Sequence, residues 1–356
     1  MRSLSAFLFF LLSPAAWAGN GFGFPVCMYG VSSPSELAPL KAAGFNCFQT
    51  YEAAPEKLAA LAEAARPLGL RLLAAPDKVL GSSYAEAAKD WPMLAWYLCD
   101  EPEVQKLPLA EMQRREKAVK DWHPAAPTAF VMGKGIAAFT YGSVADALMV
   151  DWYPVPHLET GSVGTQVALL RQAADGLDKA RPGKPVWAVL QAFDWLEHPQ
   201  RRKPPVGGFP TLDQVRLMTY LSVLRGASGV FYFMLRDKAG KALYEHPGRW
   251  AFFEKTVAEL NALLPALDGG RRLPPPDFLD PRLAAGVVKG GGRTILIMAN
   301  PAERPVRVLP EKLSGWRPLF EPHRDPKLAL YEYKGNWWLM PGKTLVFEKR
   351  RKFLLF

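Results

Sequence analysis

Residues 93–103 read MLAWYLCDEPE. Seven apolar residues run into two adjacent carboxylates, Asp100 and Glu101, and Pro102 stops them. An apolar run this short, closed by a turn signal, reads as a strand buried on both faces, the strand type of parallel sheets. An amphipathic stretch over 109–122 follows it, and the same pairing recurs on either side. Towards the N-terminus, VCMYGV (26–31) precedes Ser33-Pro34-Ser35-Glu36, a capping box with proline at the first helical position. FNCFQTY (45–51) precedes an Ala/Leu-rich helix over 55–67, and LRLLAAP (70–76) precedes a helix near 84–90. Towards the C-terminus, PTAFVMG (127–133), ALMVDWYP (147–154), PVWAVLQAF (185–193) and GVFYFML (229–235) precede helical stretches near 136–144, 163–180, 211–226 and 249–267.

Eight strand-then-helix units between residues 25 and 270 predict an α/β fold whose parallel sheet closes into a (β/α)8 TIM barrel. A doubly wound open sheet is the alternative, but its first turn usually carries GxGxxG, and YGVSSPS (29–35) does not. After Gly269-Gly270 the texture changes: RRLPPPD is a linker, and RLAAGVV, RTILIMAN, RPVRVLP, LALYEYK, NWWLM and KTLVFEK are short β-rich runs punctuated by Gly, Pro and Asn. They predict a small all-β sandwich domain. The expected organisation is a signal peptide at 1–18, the barrel over 19–270 and the sandwich over 271–356. Trp337-Trp338 reads as sandwich core or as a platform for stacking sugars, and core is the plainer reading.

Residues 1–18, MRSLSAFLFFLLSPAAWA, carry the basic start, apolar centre and A-x-A end of a secretory signal peptide, too short to span a bilayer. The mature chain is expected to be secreted or periplasmic after cleavage near Ala18. No cysteine follows that site and no later run is long and apolar, so no membrane anchor is expected. Cys27, Cys47 and Cys99 sit in apolar runs; at most one disulfide can form, and a Cys27–Cys47 bridge requires neighbouring strands. The net charge of +10 is scattered, with clusters at Arg201-Arg202-Lys203 and Lys349–Lys352. No basic stripe marks a nucleic-acid partner. Such a surface serves solubility or attraction of an acidic glycan. No phosphate loop and no zinc-type ligand spacing appear, so no cofactor or metal is expected. Oligomeric state is not legible.

In an eight-fold barrel the βα loops open where strands end, so strand-end polar residues are the candidates. They are Tyr51 and Glu52, Asp77, Asp100 and Glu101, Asp151 and Tyr153, Gln191 and Phe193, and Tyr232 with Arg236. Carboxylates walled by aromatics suit glycosidic cleavage, where one acid protonates the leaving oxygen and a second group stabilises or attacks the oxocarbenium-like carbon. Burial and the Asp100 charge are expected to keep Glu101 protonated. The plainer readings are a helix-entry salt bridge for Glu101 and loop-orienting roles for Asp100 and Asp151. His157 and His198 read as solvated loop residues.

WYLCDEPE resembles the fourth-strand signature of the (β/α)8 glycoside hydrolases, whose large retaining clan carries an acid/base glutamate in an Asn-Glu-Pro or related triplet. VDWYPVP, VWAVLQAF and GASGVFYFM extend the resemblance, as does the trailing sandwich. It implies hydrolysis of a carbohydrate, with acidic and N-acetylated sugars as the candidates and Glu101 as general acid. The clan's nucleophile is a glutamate ending the seventh strand, where this chain has Gln191. Three routes stay open: substrate assistance, with Asp100 orienting an N-acetyl group; inversion, with Asp151, Asp77 or Glu52 as base; and a non-catalytic glycan-binding barrel.

Overall fold

A computed structural model describes residues 21–177, 183–198, 206–277, 279–320 and 330–350. The expected signal peptide, Arg201-Arg202-Lys203 and the end of the Lys349–Lys352 cluster lie outside them. Strands β1 (Val26–Met28), β2 (Cys47–Gln49), β3 (Arg71–Ala74), β4 (Met93–Asp100), β5 (Thr128–Met132), β6 (Ala147–Trp152), β7 (Val186–Gln191) and β8 (Gly229–Phe233) form a closed barrel. β8 pairs in parallel with β1, which closes the ring. Helices α1 (Leu37–Ala42), α2 (Pro55–Leu68), α3 (Ala85–Ala88), α4 (Leu109–Trp122), α5 (Ala138–Tyr141), α6 (Ser162–Leu177), α7 (Leu212–Leu224) and α8 (Pro247–Leu267) follow the strands in turn. The chain is a TIM barrel followed by a β-sandwich.

Alternation along each strand divides the barrel's side chains between two cores. Cys27, Ala95, Ala129, Met149, Val189 and Phe231 fill the lumen. Leu72, Trp96, Phe130, Leu148, Val230 and Tyr232 pack outward against the helices. Cys27 and Cys47 lie opposite one another in the β1–β2 register and form a disulfide, their Cα atoms 4.6 Å apart. Cys99 is a buried free thiol, and burial pushes its pKa up to about 11.

At helix starts the chain does as its capping residues dictate. Thr211 Oγ1 accepts from Gln214 N at 3.3 Å and Gln214 Oε1 accepts from Thr211 N at 2.9 Å, opening α7. Glu36 likewise accepts from Ser33 N at 2.8 Å and, itself wholly buried, forms an ion pair with the partly exposed Arg236. Arg236 therefore ties the loop after β8 to the loop after β1.

The sandwich stacks β9 (Arg271–Leu273), β10 (Ala284–Gly290), β11 (Arg293–Ala299), β13 (Trp316–Pro318) and β16 (Thr344–Lys349), in the order β13-β16-β11-β10-β9, on a second sheet. That sheet has the order β12-β15-β14, from β12 (Val306–Val308), β14 (Leu330–Tyr333) and β15 (Asn336–Leu339). Val287, Leu296, Val306, Leu339 and Phe347 fill the space between, with Trp337 packed against them. The outer face of the larger sheet, through Val288, Ile295, Ile297 and Val346, joins the core beneath the barrel helices. A buried Arg216–Glu259 pair links α7 to α8, and Arg216 also donates to the Thr344 carbonyl of β16.

Candidate active site

The site begins with an irregularity in β4. Tyr97 lies opposite Ala129 of β5, whereas Asp100 lies opposite Val131, so three steps on β4 span two on β5. A bulge of this kind re-aims a side chain. Strict alternation would send Asp100 to the opposite face from Tyr97; with the bulge both face the lumen. The Tyr97 hydroxyl donates to Asp100 Oδ1 at 3.1 Å, and the Tyr51 hydroxyl, from the end of β2, donates to Oδ2 at 3.4 Å. Tyr29, buried just past β1, meets Tyr97 edge-on at 6.4 Å and hydrogen-bonds with it. Burial raises the Asp100 pKa, and the two tyrosine hydroxyls oppose the rise by stabilising the ionised form.

Glu101 follows with φ +47°, in the left-handed region that non-glycine residues enter at a cost of about 1–2 kcal/mol. Its carbonyl accepts from Val104 N and Gln105 N, each at 3.1 Å, which closes the turn after β4. A Cβ at Gly133, just past β5, would stand 2.6 Å from Glu101 Oε1, so the carboxylate lies directly over this glycine and a side chain there would displace it. Backbone strain of this sort is retained where its surroundings enforce it, and it gathers at functional sites. The last acid of the tetrad, Glu103, turns away and accepts from Lys134 N at 3.1 Å.

Asp151 comes from the inward series Ala147, Met149, Asp151 of β6. It is 8% exposed, and its Oδ1 has no hydrogen-bond partner among the described residues. Burial pushes its pKa well up, and the charges of Glu101 and then Asp100 push it further, against a hydrogen bond from Tyr153. Three carboxyls thus share one mouth and repel one another's charge. Tyr153 stacks on Phe233 at 5.4 Å, and Phe193 meets both edge-on. Burial raises the pKa values of Tyr29, Tyr97 and Tyr153 first, and neighbouring carboxylates raise them further, so all three are neutral hydroxyl donors.

Asp100, Glu101, Asp151, Tyr51 and Tyr153 are therefore brought together; Arg236 is taken up by Glu36, and five other candidates also lie elsewhere. Glu52 turns back to pair with Lys57 of α2 at 3.2 Å. Asp77 is exposed on the turn after β3, where its charge bears on Cys99 and Arg114. Gln191 is wholly buried: its amide donates to the Val155 and Phe193 carbonyls and accepts from Val155 N, so it holds a loop and offers nothing to a substrate. Phe193 is buried among Tyr153, Trp195 and Phe233, backing the wall instead of facing the mouth. Tyr232 points out of the barrel, sharing a 2.8 Å hydrogen bond with Thr219 of α7, because alternation on β8 gives the lumen to Phe231 and Phe233. Sequence reasoning missed Tyr29, Tyr97 and Phe233; the alternation Cys27-x-Tyr29 was the one available signal, once Cys27 is known to face inward. Among the described residues no group of three His, Cys, Asp or Glu side chains could hold a metal ion. No described helix is long and apolar enough to cross a membrane.

No family model and no curated protein matches the chain. Solved structures do. A protein described as a glycoside hydrolase is similar with a TM-score of 0.61 and 15% identity, covering 92% of this chain and 93% of that one. A family 5 glycoside hydrolase from Bacteroides vulgatus gives 0.58 at 15% identity, over 91% and 88% of the two chains. Amy13B of Eubacterium rectale gives 0.60 at 10% identity, over 95% and 100%. Likeness at these identities establishes the shared barrel-and-sandwich fold.

Proposed function

We propose that this protein is an exported glycoside hydrolase cleaving O-glycosidic bonds of a poly- or oligosaccharide, with Glu101 as general acid. The observation that carries the reading is the meeting of Asp100, Glu101 and Asp151 at one tyrosine-lined mouth, with a buried Asp151 oxygen left unpartnered. Such cleavage needs a carboxylic acid that still holds its proton near neutral pH and a second group that is ionised or nucleophilic. Asp100, bonded by two hydroxyls, is the member best kept as a carboxylate. Glu101 and Asp151 repel each other's charge, so the pair retains a proton that a lone carboxyl would lose. The strand-four position and the strained backbone favour Glu101 as the donor. Asp100 then orients an N-acetyl group in the substrate-assisted route, or Asp151 activates water in the inverting one; Glu52 and Asp77 drop out of contention. The glycoside hydrolases among similar structures raise the prior by analogy of fold. Export is supported by the signal-like residues 1–18 and by the Cys27–Cys47 disulfide, a bond of oxidising compartments.

The test is product release by the mature protein from polysaccharides and aryl glycosides, N-acetylhexosamine substrates included, beside Glu101→Gln. Cleavage that the variant lacks supports the reading. Glycan binding without cleavage in either protein would favour a non-catalytic carbohydrate-binding barrel, the reading to which the fully engaged Gln191 amide lends weight.

A further inference from the structure

The smaller sheet of the sandwich turns aromatic rings to solvent. Alternation sends Val306, Val308, Leu330, Trp337 and Leu339 inward. It leaves Arg307, Trp338, Tyr331 and Tyr333 on the outer face. In register, Trp338 on the central strand lies opposite Arg307 on one side and Tyr331 on the other, so a cation and two rings cross the three strands in a row. Tyr331 and Tyr333 are 51% and 52% exposed on the edge strand β14, their ring planes 13° apart and centroids 6.4 Å apart. Lys334 stands 5.2 Å from the Tyr333 ring centre. No carboxylate pairs with Arg307 or Lys334 among the described residues.

We propose that this face binds a glycan strand bearing carboxylate or sulfate groups, at a site separate from the barrel mouth. Apolar groups gathered in one exposed patch mark an interaction surface, whereas singly scattered ones do not. Near-parallel rings present aromatic faces to the C–H faces of successive sugars. Arg307, Asn336 and Lys334 around them supply donors for hydroxyls, and the two unpaired cations match anionic substituents.

The binding does not depend on hydrolysis, so it is measured on the full-length mature chain carrying Glu101→Gln. Calorimetric titration uses oligogalacturonate, a sulfated galactan oligosaccharide and an uncharged mannan oligosaccharide. One or both anionic ligands are expected to bind, and to say which group is read. Tyr331→Ala/Tyr333→Ala, at exposed positions that leave the core intact, is expected to weaken binding at least tenfold; so is Arg307→Glu, while Tyr51→Ala changes nothing. Absence of binding by any oligosaccharide, equal binding of the uncharged one, or loss with Tyr51→Ala instead would overturn the proposal. So would a dimer in light scattering that the double variant dissolves, since β14 would then be a self-pairing edge.

Discussion

Replacing Asp151 by asparagine separates the cost of a buried charge from everything else in the mouth. In the unfolded chain this carboxyl ionises near its ordinary 3.8; in the native barrel burial and the charges of Glu101 and Asp100 hold its pKa well above that. Between the two values the native state carries the extra proton. Stability is therefore fully present below about 3.8 and is lost as pH rises towards the native pKa, by up to about 1.4 kcal/mol per pH unit. Asparagine keeps the shape and does not ionise. Asp151→Asn is expected to gain on the wild type across that window at up to the same slope, with about 2–4 °C in Tm for each kcal/mol in a barrel-sized unit. Other acids titrate in both proteins and cancel in the comparison. Thermal unfolding followed by circular dichroism between about pH 4 and pH 7 reads the difference. Parallel curves, or a variant that falls below the wild type as pH rises, would mean that Asp151 is ionised and stabilised in the fold, and the account of the mouth would fail.

Tyr97→Phe removes a hydrogen bond to the ionised Asp100, worth about 1.5–3 kcal/mol, so the acidic limb of the kcat/KM profile is expected to move up by about 1–2 pH units. Gln191→Glu places a charge where the amide now donates to two carbonyls; it is expected to lower stability by about 3 kcal/mol or more in urea unfolding, with no gain in turnover. Cys27→Ala/Cys47→Ala opens a loop of sequence separation 20 and is expected to cost about 3 kcal/mol, measured as a lower Tm that reductant no longer affects.

The barrel was legible because each strand is a short apolar run set against an amphipathic helix; β4 runs over Met93–Asp100 as its composition predicts. That same apolarity hides which face is which. A strand buried on both sides shows no hydropathic alternation, so Tyr232 and Phe233 were indistinguishable as mouth residues. The β4 bulge is invisible in sequence, since only the register against β5 reveals the extra residue that brings Asp100 beside Tyr97. Glu52 and Asp77 lie past their strand ends, where the loop's course, set by Lys57 in one case and by an exposed turn in the other, decides where a carboxylate points. Gln191 stood in the expected place, but what engages its amide is a loop 36 residues earlier. The sandwich was read from its β-rich runs; that Trp337 faces the core and Trp338 the solvent follows only from the pairing of β15 with its neighbours.

A general acid matters in proportion to how badly the leaving group needs its proton. The decisive measurement is kcat/KM of Glu101→Gln and wild type on aryl glycosides running from a dinitrophenyl leaving group to an unactivated alkyl one. If Glu101 is the acid, the variant loses about 10²–10⁴-fold on the alkyl glycoside and keeps nearly wild-type rates on the dinitrophenyl one. Equal losses across the series, or no loss at all, would contradict the assignment.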